Sequence, residues 1–580
     1  MSFALYMETI NKGVFMKFSE IPYVRPDFDY LEKEMTQVLD SLETAPTKEQ
    51  YFHDMKKFYD LSEELQQMMT LSYIRYTINT KDAFYEKENE VYDEIMPKFQ
   101  AFGHRLGNIR LTSPHREAFE EAYGKTITMQ DEMRKDIFDL SIIEDRVKEA
   151  KLATEYQKLT AAAQVEFDGK KRNISQMTYY FESQDRMVRK EANEVVQAWY
   201  HEHQNTLDKI YDDLVQLRTS IAQKLGFKSY DEVAYREMGR LDWTKADAKK
   251  YRQQIIDHIV PLASKLYKEQ AQRIGVDEFK YYDIPFMFKS GNPMPVGDEP
   301  VLVEAAQKMY RELSEETAEF FDTMVENQLM DLTTKDGKAP GGYMTFLAKT
   351  KLPFIFSNFN GTSGDVDVLT HEAGHAFQGY VTRDVYPRDN AGAAMEIMET
   401  HSMAMEYFTH PWMENFFGED TEKYYYSHVV SSLLFLPYGA SIDAFQEWVY
   451  ENPQATAEER RAKYREIEGI FLPHLDYDGN EYLENGGRWQ RQLHVYMYPM
   501  YYLDYTIAQV NAFQYFAWDL EDHEAAWESY LKLCELGGRY PSIESMKKVG
   551  LKSPFEDGTM LAIVEKLEAY LDGLDKSKIV

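Results

Sequence analysis

His371-Glu372-Ala373-Gly374-His375 is an H-E-x-x-H sequence. Two histidines four residues apart on a helix project from one face and can hold a zinc ion between them. Glu372 sits beside that face, where its carboxylate can reach a water at the metal without displacing a ligand. The run VLTHEAGHAFQGYV has no proline, and polar Thr362, Ser363 and Asp365 precede it, which favours a helix here. The chain has 14 histidines, so an accidental match is an event on the order of a few per cent. A catalytic zinc takes three protein ligands and keeps one position open. The third is to be sought in MEIMETHSMAMEYF, which offers Glu396, Glu399 and Glu406. Glu399 and Glu406 share a helix face, so one could ligate while the other orients a histidine. His401 points about 200° away from Glu399 and reads as structural.

The elements that must position these residues are mostly helices. Glycine and proline are sparse, at 29 and 20 in 580 residues, and apolar residues recur at helical spacing. Leu31, Met35, Val38 and Leu42 form one such stripe, and Leu561, Val564, Leu567 and Leu571 another. The expected fold class is therefore mainly α. Residues 1–15 read as an extension ahead of Met16, 16–275 as a helical region, and 276–334 as a connecting loop with helices. Residues 335–550 form the zinc-binding region, and 551–580 hold a C-terminal helix. Just before the H-E-x-x-H segment, Leu352–Phe359 is rich in aromatic and β-branched residues and contains Pro353. Proline in a strand implies a sheet edge, so Pro353–Asn360 is expected as an edge strand with which an extended peptide could pair. Gly341-Gly342 and Gly486-Gly487 could permit close backbone approach or loop closure, with a simple turn the favoured reading for each.

Composition excludes several classes. Charged residues number 65 Lys+Arg against 98 Asp+Glu, a formal net charge of −33. Such a surface repels phosphate backbones and anionic membranes, so neither a nucleic-acid nor a membrane partner is expected. A hydrophobic fraction of 44% is ample for a core. The most apolar window, Val429–Ile442, is too short to span a bilayer. The lone cysteine, Cys534, can form no internal disulfide and reads as core; a cytoplasmic location fits. The acidic loop Asp476–Asn480 lacks the twelve-residue pattern of a calcium loop.

HEAGHAFQ followed by Glu399-Thr400-His401-Ser402, an E-x-x-S, resembles the thimet oligopeptidase and oligoendopeptidase F family of zinc peptidases. The approach GGYMTFL…PFIFSNFNGTSGDVDVLT, the segment His494–Tyr505 and the GGRYPS tail at Gly537–Ser542 are similar to that family as well. The motifs span Lys335–Ser542, and the likeness is to the shorter bacterial oligoendopeptidase F type. It implies Glu399 as the third ligand of one Zn2+ per chain. It further implies that His494, with Tyr501 and Tyr505 in preference to Tyr498 and Tyr502, contacts substrate and stabilises the oxyanion of peptide hydrolysis. The helical body is then expected to be split by a deep channel that admits short unstructured oligopeptides and cuts them internally. A zinc exopeptidase and a non-catalytic peptide-binding scaffold are the alternative readings. Tyr501 and Tyr505 lie four apart on one helical face, whereas Tyr502 turns away by about 100°.

Overall fold

Asp27 opens the first long helix by accepting a hydrogen bond from the Tyr30 N–H, and Thr47 caps the second through Gln50. These helices are α1 (Phe28–Glu43) and α2 (Lys48–Ile78), followed by α3 (Ala83–Thr112). The computed structural model describes residues 17–335 and 337–580; the expected extension 1–15 lies outside them. About 70% of the chain is helical, with one two-stranded and one three-stranded sheet among the described residues, so the fold is mainly α as expected. The chain divides into two compact units, one of residues 1–136, 295–416 and 524–549, the other of 137–294, 417–523 and 550–580.

In the first unit the stripe Leu31, Met35, Val38 and Leu42 is buried in full, joined by Leu39, and packs on α2 and α3 through Tyr51, Met55, Phe58 and Leu106. The unit also holds the three-stranded sheet, made of β1 (Met330–Thr333), β2 (Tyr343–Leu347) and β3 (Leu352–Phe359) in the order β1-β3-β2. Here the expected edge strand is corrected: Leu352–Phe359 is the central strand, parallel to β1 and antiparallel to β2. The proline is accommodated by register. Ile355 N–H reaches back to the Leu329 carbonyl on the β1 side, and Pro353, two residues earlier, turns its nitrogen the same way. Pairing with β1 begins only at Ile355, so no ladder bond is lost at Pro353. The unbroken burial of Leu352 to Ser357 is the mark of a strand covered on both faces.

The second unit contains the 39-residue helix Arg186–Lys224, the helix Thr421–Glu451 and the hairpin Gln164–Phe167/Lys170–Asn173. Val429–Ile442 lies inside Thr421–Glu451 as core, and no helix among the described residues is long and apolar enough to cross a membrane. The loop after Val276 is fixed by the fully buried Asp283 carboxylate, which takes Arg186 at 2.7 Å and Arg189 at 2.8 Å. Asp476 and Asp478 of the acidic loop are bound by Lys280 (2.8 Å) and Lys190 (2.7 Å).

Two further expectations are corrected. In the C-terminal helix Thr559–Gly573, Leu561 is 43% exposed and Met560 takes its place beside Ile563, Val564, Leu567 and Leu571. Positions three and four residues before Val564 both border the apolar seam, and the longer, more flexible methionine fills it. Gly486-Gly487 is more than a turn: a Cβ at Gly486 would stand 2.1 Å from the Arg461 carbonyl, and one at Gly487 2.3 Å from the Tyr482 ring. Close backbone approach dictates both glycines. Gly341, at φ +91 with open space around it, is a turn glycine.

Candidate metal centre

A short connection carries the chain from β3 into α4 (Gly364–Val381). It is closed by the Asp365 carboxylate, which accepts the N–H groups of Asn360 (2.8 Å) and Gly361 (2.7 Å). One turn and a half further on, α4 presents His371, Glu372 and His375. On the flank of the same turn away from Glu372 is Gly374, and there α4 meets α5 (Met395–Phe408) backbone to backbone. A Cβ at Gly374 would lie 2.7 Å from both the His401 carbonyl oxygen and Ser402 Cα, and 2.9 Å from Met405 Cβ. This contact sets how near the carboxylates of α5 come to the imidazoles of α4.

His371, His375 and Glu399 form a group whose donor atoms all lie within 4.8 Å of one another. Glu399 Oε2 stands 3.5 Å from His371 Nε2 and 3.3 Å from His375 Nε2, and the two rings are nearly perpendicular with centroids 5.0 Å apart. Glu406 Oε1 holds His371 Nδ1 at 2.7 Å, which turns Nε2 of that ring toward Glu399. Ser402 Oγ donates to the Glu399 carbonyl (2.8 Å) and reaches its Oε2 (3.3 Å), limiting the glutamate rotamer. Two imidazoles and one carboxylate, with a second carboxylate behind one ring, suit zinc in both donor type and number. Glu396 stands apart from this group, buried and accepting a hydrogen bond from Ser542.

Charge follows the same geometry. Burial alone would raise Glu399, but the His375 and His371 imidazoles hold its carboxyl far below the carboxylate range. Burial works against the proton on His371; Glu399 and Glu406 on its two sides outweigh it and raise the ring well above its ordinary value. Glu372, 8% exposed, is raised by burial first and by Glu399 further, with the histidines opposing. The Met344 backbone N–H on β2 hydrogen-bonds to Glu372, and a Cβ at Gly342 would come within 3.8 Å of Glu372 Oε1. Met344 opposes Ile355, whose own N–H serves β1, so Met344 sits at a non-bonded pair and directs its N–H away from β3. The sheet edge beside Glu372 is therefore β2. His401 is fully buried, its ring edge-to-face with Tyr530 and held neutral by burial with a pKa of about 3.

In the second unit His494, on the short helix Leu493–Met497, is ringed by tyrosines. Centroid distances are 4.9 Å to Tyr502, 5.5 Å to Tyr505, 5.8 Å to Tyr501 and 6.2 Å to Tyr498. Tyr501 caps the helix Tyr502–Asp519 and packs on Tyr505 at 4.9 Å. Tyr498 is 48% exposed, and burial drives the Tyr502 phenol well above its usual range. Gly374, Met344 and Gln492 join the site residues only through the structure. Gly374 had a signal, as a glycine inside a helical motif. Met344 acts through its backbone and had none.

A helix pair that converges two imidazoles and a carboxylate, with a further carboxyl beside them, has the donor set to hold a metal ion. The family model of the peptidase M3 N-terminal domain matches residues 18–138, and that of peptidase family M3 matches 179–292 and 302–565. The chain belongs to peptidase family M3. It is 22% identical to oligopeptidase PepF of Bacillus subtilis (strain 168) over 399 residues, 66% of this chain and 57% of that one. The match thus spans little more than half the length of that relative. Two solved structures are similar over 97% of this chain and 100% of their own. One carries the provisional name oligoendopeptidase F (46% identity, TM-score 0.94), and the other is PZ peptidase A, solved with an inhibitor (45% identity, TM-score 0.94). Their mainly helical fold is the fold of this chain.

Proposed function

We propose that this protein is a zinc-dependent endopeptidase of the cytoplasm that cuts short, unstructured oligopeptides internally. The observation that carries this reading is the placement of Glu372 between the His371/His375/Glu399 group and the outward N–H of Met344. His371, His375 and Glu399 would hold one Zn2+, with Glu406 orienting His371. Zinc bound there supplies Lewis acidity, polarising a peptide carbonyl and lowering the pKa of water.

Glu372, raised by its burial, takes the proton of the attacking water and delivers it to the leaving amine. The edge of β2 positions the substrate. An extended peptide can add to it as a further strand, bound through main-chain groups and so tolerant of side chains. The edge role expected of Pro353–Asn360 passes to Tyr343–Leu347. Folded proteins have no free strand to offer, which supports short flexible peptides as substrates. His494, with Tyr501 and Tyr505, is assigned to the oxyanion and the substrate backbone through resemblance to the family.

Metal analysis paired with peptide cleavage mapped by mass spectrometry tests the reading. Glu372→Gln should retain about one zinc per chain while turnover falls by roughly a thousandfold or more, and Glu399→Ala should lose the metal. Trimming solely from one terminus would replace the endopeptidase with an exopeptidase. Undiminished cleavage by metal-free protein would end the zinc assignment.

A further inference from the structure

Gln492 precedes the short helix that carries His494, and its amide lies between two partners. Tyr438 donates its O–H to Gln492 Oε1 at 3.0 Å, and Gln492 Nε2 stands 2.8 Å from His494 Nδ1. With its oxygen engaged by the phenol, the amide presents its NH2 group to the imidazole. An NH2 group only donates, so the Nδ1 it meets must be a lone pair, and the single proton of the neutral ring then resides on Nε2. We propose that Gln492, oriented by Tyr438, is a positioning residue that fixes His494 as the neutral Nε2–H tautomer. This inference rests on the reading above in one respect: Nε2–H is the donor that meets the developing oxyanion.

Within this unit the surroundings of the ring are largely aromatic. Tyr498, Tyr501, Tyr502 and Tyr505 contribute phenol rings. Cations near the cluster include Arg488, whose guanidinium lies 4.8 Å over the Tyr438 ring, and Arg491, both of which bear on Tyr502, and Arg218 and Arg240, which bond the Tyr496 and Met500 carbonyls. Glu468 pairs with Arg488 at 3.3 Å and Asp504 with Arg240 at 2.8 Å. A neutral ring with a fixed proton can donate to the oxyanion at neutral pH without first being charged.

Gln492→Glu separates the possibilities because it keeps the shape and replaces NH2 by an acceptor. The introduced carboxylate draws a proton onto Nδ1 of His494 and raises the pKa of the ring. Below that raised pKa both nitrogens are protonated and Nε2 still donates. Above it the one remaining proton stays on Nδ1, facing the carboxylate, and Nε2 becomes a lone pair. The variant should therefore gain an alkaline limb in kcat/KM that wild type lacks, a loss of about tenfold or more by pH 9, with zinc content unchanged. Gln492→Met, which fixes neither tautomer, should lower kcat about tenfold across the profile with KM little altered. A Gln492→Glu profile that tracks wild type from pH 6 to 9 would overturn the proposal, since the amide would then be turned with its oxygen to Nδ1–H.

A second measurement does not depend on activity. In protein labelled with 15N in its histidine rings, the His494 signals are those absent from His494→Gln. At pH 8 they should show a bare Nδ1 and a protonated Nε2, and the reverse pattern would refute the tautomer outright. If His494→Ala cleaved peptides as fast as wild type, the oxyanion role would fall while the ring spectrum still decided the tautomer.

Discussion

Replacing Gly374 with alanine places one methyl group where α4 and α5 touch. It would stand 2.7 Å from the His401 oxygen and from Ser402 Cα, whereas ordinary contact begins at 3.4 Å. Both are backbone atoms, so no side chain can swing aside, and the helices must part by about 0.7 Å or store the strain. Glu399 rides on α5 and the two histidines on α4, and metal–ligand distances tolerate only about 0.2 Å. Parting the helices therefore relieves the clash at the expense of the metal site. Overpacking of this kind costs about 1–3 kcal/mol, and at 1.4 kcal/mol per tenfold the zinc affinity should fall by about 5- to 150-fold. Competition against a chelator of known affinity measures that loss, and far-ultraviolet circular dichroism monitors the helices. Gly469→Ala is the matched control, a helical glycine with nothing within 4 Å of the added carbon. It should leave zinc binding alone and stabilise its helix by about 0.5–1 kcal/mol. A Gly374→Ala protein with zinc affinity within twofold of wild type would show that the helix contact does not set the ligand geometry.

Glu406→Gln keeps the contact to His371 but removes its charge, and should weaken zinc binding by about 10- to 100-fold without altering the fold; unchanged affinity would deny Glu406 its orienting role. His474 stacks on Tyr267 at 3.8 Å, and burial, with Arg488 nearby, lowers it to about 3. Between that value and an unfolded value near 6.5 the unfolded chain binds the extra proton. Stability should therefore fall as pH drops through this window, by about 1–2 kcal/mol at pH 5. His474→Phe should flatten urea midpoints between pH 7 and 5, and an unaltered slope would show that other groups govern the acid limb. Strand addition at β2 requires an unfolded substrate. A stable domain, whose unfolding costs about 5–15 kcal/mol, should be cut at least a thousandfold more slowly than a peptide of the same cleavage sequence; comparable rates would exclude recognition by the strand edge.

What the sequence could and could not reveal divides along one physical line. His371, Glu372 and His375 are legible because a single helix turn supplies their geometry, and the spacing alone puts both imidazoles on one face. Glu399 and Glu406 are nearly so, being seven residues apart on the next helix, although their separate tasks depend on the depth at which α4 and α5 interlock. That depth is written in Gly374, whose meaning appears only when His401 and Ser402 are placed against it. The strand order differs from the expected one for a related reason. A proline forbids a ladder bond only on the side its nitrogen faces, and that side cannot be known before the partner strands are in register. Once Ile355 is seen to serve β1, Pro353 is admissible in the middle of the sheet, and the outward-facing donors fall to β2, where the Met344 N–H meets Glu372. The placement of the β2 edge beside Glu372 thus follows from one residue of register, a quantity set by long-range pairing and absent from any local pattern.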